Sequence, residues 1–152
     1  MDQAFRLQPL LDLARMQTDV AARELGALTT QGMDAQRKLE LLLQYRNTCQ
    51  QQFQEAMRRG VHNTEWRNYQ EFMLKLETAI AQQHRVVAGS RERVEEGRRR
   101  FSAQQRKLDS YAVLAKRHKG AQALHAARRE QKDSDEHAAR SGRRRQLHPD
   151  NE

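Results

Sequence analysis

Few residues in this chain are of a type that does chemistry, and their spacing assembles none of them into a reacting site. The six histidines are scattered; His118 and His125 stand seven apart, whereas a helical metal site uses i, i+4. No Gly-rich phosphate loop, no His-Glu-x-x-His and no Cys pair is present. Cys49 is the single cysteine, so no internal disulfide forms, a usage that fits a reducing cytosol. It falls on an apolar helical seam, described below, and reads as a small buried residue. Asp109 and Tyr111 are ordinary helix residues. The chain is therefore read as a non-enzyme with no metal and no cofactor.

The remaining chemistry is charge. Arg98, Arg99, Arg100, Arg106 and Lys107 form the densest basic run, and the net charge is +8. Glu92, Glu95 and Glu96 precede the run at spacings that allow helical ion pairs. A solvated charged face explains this pattern. An acidic protein or nucleic acid is the alternative, since a basic helix binds phosphates without sequence preference. The basic residues are spread through the chain rather than gathered on one helix ahead of a zipper, which disfavours nucleic acid.

The elements carrying these residues are helical. Aromatics are 5% and charged residues 32%, and proline occurs only at Pro9 and Pro149. Such a composition suits long helices rather than layered packing. No run alternates with period two for long enough to be a strand. No apolar stretch approaches the roughly 20 residues of a membrane span. The start lacks a basic segment followed by an apolar core, so no signal peptide is expected.

Two arms emerge. From Leu7, alternating three- and four-residue steps give Leu7, Leu11, Ala14, Thr18, Ala21, Leu25, Leu28, Gly32, Ala35, Leu39, Leu42, Arg46, Cys49, Phe53 and Ala56. This persistent spacing marks a coiled-coil seam over an arm from about 6 to 58. Pro9 fits near the start of that helix. Many seam positions are Ala, Gly or Cys, which bury little area, so the expected pairing is marginally stable. The bend falls at about 59–64, with Gly60 ending the first helix and Asn63 or Thr64 capping the second. The short connection requires antiparallel arms. Arm two runs from about 65 to 139. Its seam is Trp66, Met73, Ile80, Val87, Val94, Phe101, Leu108 and Ala115, with a mixed complement at Tyr69, Leu76, Gln83, Ser90, Gly97, Gln104, Tyr111 and His118.

The bend brings Gly26 and Gly97 to similar heights, and Gly32 near Ser90. These positions mean either close helix approach or a soft point. Leu7 pairs near Ala115, so arm two overhangs from about His118. Residues 141–152 read as a flexible basic tail. The fold class is thus all-α, a long two-helix antiparallel coiled-coil hairpin with a C-terminal helical overhang.

Off the seam, Phe72, Leu76 and Ala79 share a stripe at i, i+4, i+7. Leu42 and Tyr45 lie at a matching height on arm one. Together they either widen the core or form an exposed patch for a partner.

Several stretches carry a family likeness: Asp19-Val20-Ala21-Ala22-Arg23-Glu24-Leu25-Gly26, Leu39-Glu40-Leu41-Leu42-Leu43-Gln44-Tyr45, Trp66-Arg67-Asn68-Tyr69-Gln70-Glu71-Phe72, and Arg129-Glu130-Gln131-Lys132 with Asp135-Glu136-His137-Ala138. On these the chain resembles the FliJ family of flagellar type III export, small coiled coils that look like the coiled coil of the ATP synthase γ subunit. The resemblance implies a cytoplasmic stalk, peripheral to the inner membrane at the flagellar base. It implies insertion of the end bearing both termini into the hexameric export ATPase, promoting its assembly and activity. It also implies binding to the cytosolic domain of the membrane export gate and association with export chaperones. Carried onto this sequence, the gate-binding residues are Leu42, Tyr45, Phe72, Leu76 and Ala79. Lys38, Cys49 and Gln83 depart from the residue types expected around them. The ATPase-binding candidates are Arg128, Arg129, Gln131, Lys132, Asp135 and Glu136. A chaperone escort, an injectisome stalk and a nucleic-acid-binding coiled coil are the competing readings.

Overall fold

The computed structural model describes residues 4–147. Two α-helices, α1 (Gln8–Arg59) and α2 (Asn63–Leu147), pack against each other as an antiparallel hairpin, with no strand among the described residues. Leu11 N–H donates to the Leu7 carbonyl at 2.9 Å, opening α1, so Pro9 sits in the first turn, where its missing N–H breaks no bond. At the other end Gly60 adopts φ 89°, a conformation that costs glycine nothing and terminates α1. Arg58 and Arg59 occupy the last turn, beside the free carbonyls.

The second helix begins earlier than the expected caps. Trp66 N–H donates to the His62 carbonyl at 3.1 Å, so His62 takes the capping position and Asn63 and Thr64 lie inside the first turn. The tight reversal after Gly60 sets this start; the polar caps do not. Glu65 in that turn complements the helix dipole.

The chain divides into two units. The first is Met16–Gln105, which contains the bend. Its core is Ala35, Leu39, Leu76, Ile80 and Val87, with Leu42, Leu43 and Met73 packed against it. The seam is thin, and polar side chains interrupt it. Gln83 Nε2 donates to the Ala35 carbonyl at 2.9 Å, and Thr18 Oγ1 to the Gln104 carbonyl at 3.3 Å. Arg46 pairs with Glu77 at 3.3 Å. Each of these pairs lies almost equally far from the bend on the two helices. Apolar contacts tolerate sliding, whereas these directional bonds fix the register.

Helix approach is closest where the seam has no side chain. A Cβ at Gly97 would stand 2.9 Å from Leu28 Cδ1 and 3.4 Å from Leu25 Cδ1. Gly32 faces Ser90 Oγ at 3.6 Å, so both positions serve packing. Gly26 has nothing within 4 Å and faces solvent. Near the bend the Phe53 and Tyr69 rings stack at 3.6 Å, and Trp66 lies 5.2 Å from Phe53. Trp66, expected on the seam, is instead at its exposed rim.

The second unit joins Met1–Arg15 to Arg106–Glu152. Leu11 and Ala14 are buried, and Leu108, Tyr111, Ala115 and His118 are half-buried. Phe5 and His118 rings meet at 5.4 Å. Beyond Gln122 every described residue of α2 is exposed through Leu147. The helix thus runs past the expected limit of 139 and includes the first part of the segment read as a flexible tail. Arg, Gln, Ala and Lys favour helix, and a single Gly142 costs only about 1 kcal/mol relative to Ala. Ser141 Oγ donates to the His137 carbonyl at 3.0 Å rather than breaking the helix. Residues 148–152 of that expected tail lie outside the described residues.

These environments separate the glycines experimentally. Gly26→Ala should stabilise by about 0.5–1 kcal/mol through helix propensity. Gly97→Ala should fall below it by about 1–2 kcal/mol, because the new methyl displaces Leu28. Urea unfolding followed by circular dichroism reads the difference.

Candidate partner-docking surfaces

The first candidate surface lies in the unit Met16–Gln105. Successive 3-4 steps keep Leu39, Leu42 and Arg46 on the inner face of α1, and this turns Tyr45 to the side. On α2 the inner positions Met73, Leu76 and Ile80 likewise leave Phe72 at the edge. Tyr45 and Phe72 meet across the two helices, rings edge-to-face at 5.9 Å and 86°. Tyr45 is 52% exposed and Phe72 39%. Leu42 and Ala79 are half-buried beside them.

Leu76 is different. It is only 6% exposed and belongs to the core cluster. Of the residues read as one exposed stripe, it supports the surface from beneath and offers no face to a partner. Its complement-seam position already predicted this; the i, i+4 spacing from Phe72 pointed the other way. One residue was missed. Leu41, four positions before Tyr45, is 64% exposed on the same side of α1. The available signal was a leucine off the seam, spaced one turn from an aromatic. The surface is therefore an aromatic pair flanked by an aliphatic side chain, with the Arg46–Glu77 ion pair tying the helices nearby.

The second candidate lies in the other unit. Arg128, Gln131, Lys132, Asp135 and Glu136 line one face of the exposed part of α2, together with Ala139. Arg129 lies at the edge of that face, one and two turns before Lys132 and Glu136. The i, i+3 and i, i+4 spacing collects both signs of charge there, and none of these side chains is ion-paired within the chain. The basic run further up α2 is partly neutralised: Arg98 pairs with Glu95 at 3.1 Å. Cys49 is half-buried and free. Among the described residues no group of three or more His, Cys, Asp and Glu could hold a metal ion. No described helix is long and apolar enough to cross a membrane.

Comparison with known proteins places this geometry. The profile of the family described as "Flagellar FliJ protein" matches residues 3–147. The chain belongs to the FliJ family. It is 30% identical to the flagellar FliJ protein of Salmonella typhi over 145 residues, covering 95% of this chain and 99% of that protein. It is also 30% identical to the flagellar FliJ protein of Escherichia coli (strain K12) over 139 residues, covering 91% and 95%. FliJ membership makes the chain a component of flagellar protein export. A FliJ chain with this geometry presents two separate surfaces, one aromatic and one charged.

The difference between Phe72 and Leu76 is measurable before any partner is added. Leu76→Ala should cost about 2–4 kcal/mol, because it opens a cavity in the thin core. Phe72→Ala should cost about 1 kcal/mol or less, having lost only a half-exposed ring and its edge contact. Thermal unfolding of the two variants tests the assignment.

Proposed function

We propose that this chain is the stalk of the flagellar export apparatus. In this reading the end carrying both termini enters the central hole of the hexameric export ATPase, promoting its assembly and activity. The Tyr45–Phe72 surface docks on the cytosolic domain of the membrane export gate, so that one chain links the two. The observation that carries the reading is the length of unpaired helix: after Phe5 meets His118, α2 continues fully exposed from Ala123 to Leu147. A helix that buries no apolar face against its own chain gains little from being this long unless a partner receives it. Arg128, Arg129, Gln131, Lys132, Asp135 and Glu136 are the side chains offered to that partner.

A single chain in a ring of identical subunits contacts them unequally. Its charged face would stabilise some subunit conformations over others, which biases nucleotide states without any catalytic group from the stalk. The chain would reside in the cytoplasm and reach the inner membrane through its partners. Export chaperones are proposed as a further class of partner on the family resemblance. Membership of a flagellar family favours this setting over an injectisome.

Two variants separate the surfaces. In pull-downs, Phe72→Ala should reduce capture of the gate domain about tenfold or more, on the scale of a partly buried aromatic anchor, and leave the ATPase bound. Truncation after Ala123 should do the reverse. Loss of both partners from either variant contradicts the division of labour.

A further inference from the structure

The last turns of α2 carry a feature the stalk reading does not use. Arg140, Arg143, Arg144 and Arg145 fall within six residues, and no acidic residue lies between Glu136 and Leu147. All four are exposed, and none is ion-paired within the chain. Complementing the helix dipole accounts for cations in the final turn, which holds Arg144 and Arg145. It does not account for Arg140 and Arg143, which precede that turn. At 100° per residue, Arg140, Arg143 and Arg144 fall on one face, and Leu147 lies between them, 76% exposed.

We infer that this end of α2 binds an anionic membrane surface, with the arginines on lipid phosphates and Leu147 entering the headgroup boundary. Clustered arginines on an exposed helix are drawn to anionic lipid, each contributing about 1 kcal/mol near the surface. An apolar side chain on the same face supplies the second element of interfacial binding. Nucleic acid fits less well. From Lys119 to Leu147 there is no Phe, Tyr or Trp on which bases could stack. Asp133, Asp135 and Glu136 lie within two turns of the cluster and would repel a duplex backbone running along the helix. A bilayer meets only the end and does not follow the helix axis. The inference does not rest on the stalk reading, since the cluster lies beyond Glu136 and its test needs no ATPase or gate.

The test is sedimentation of the full chain with vesicles of one part phosphatidylglycerol to about three parts phosphatidylcholine, against vesicles of phosphatidylcholine alone, each arm including a DNA duplex competitor control. Binding should require the anionic lipid and weaken with salt. Arg143→Gln with Arg144→Gln should lower the partition coefficient about twentyfold, and Gln at all four positions by several hundredfold, at about fivefold per arginine. Removing the same charge elsewhere, by Arg98→Gln, Arg99→Gln, Arg100→Gln and Lys107→Gln, should change it by less than about tenfold, because those residues lie far from the helix end. Unchanged helicity by circular dichroism verifies each variant. Equal losses in the two fourfold variants would overturn the inference in favour of net charge. No binding to the anionic vesicles, or tighter binding to the duplex than to the vesicles, would also overturn it.

Discussion

The structure depends on one thin line of contact. Two helices meet along a single stripe of mostly small side chains, and no third element covers their outer faces. Ala14, Ala21 and Ala35 bury little area, so apolar burial holds the helices together without strongly choosing a register. That choice falls to directional groups: Gln83 on the Ala35 carbonyl, Thr18 on the Gln104 carbonyl, and Arg46 beside Glu77. Buried polar residues in a coiled-coil seam weaken it and make its alignment specific. Gly97 under Leu25 and Leu28 serves the same end sterically, because only a residue without Cβ leaves room for both leucines.

A chain with so little interior sorts its side chains sharply. Whatever leaves the seam is in solvent, and an apolar residue there gains nothing from its own fold. Phe72 and Leu76 show this at a spacing of one helical turn. One closes the core, and the other reaches across the edge to Tyr45. The same rule applies to the unpaired length of α2 after Gln122, whose face from Arg128 to Ala139 has no counterpart in the chain. Membership of the FliJ family gives these two surfaces a setting in flagellar export. The stalk reading then assigns each a partner.

The pairing was legible in the sequence because the 3-4 spacing is a property of helix geometry alone. From Leu7 to Ala56 the spaced residues are all buried or half-buried, as are Tyr69, Met73, Leu76, Ile80, Gln83 and Val87 on the return helix. Gly60 was legible because positive φ has a residue preference. What spacing could not give was decided by local competition. His62 rather than Asn63 or Thr64 caps α2, since the tight reversal fixes the helix start. Helix propensity carries α2 through Gly142 to Leu147, where the basic composition suggested fraying. Leu76 belonged to two patterns at once, and only the packing of Leu39 and Ile80 around it resolves which one holds. Leu41 was passed over because an exposed leucine has no periodic signature of its own.

The central claim is that this chain acts on the hexameric export ATPase as a stalk. The most direct measurement is ATP hydrolysis by the purified flagellar export ATPase, titrated with the full chain from well below to above one chain per hexamer. The account predicts a rise in rate that saturates near one chain per six ATPase subunits, on the expectation of a single central hole. A rate and a degree of ring assembly that do not change across the titration would contradict it.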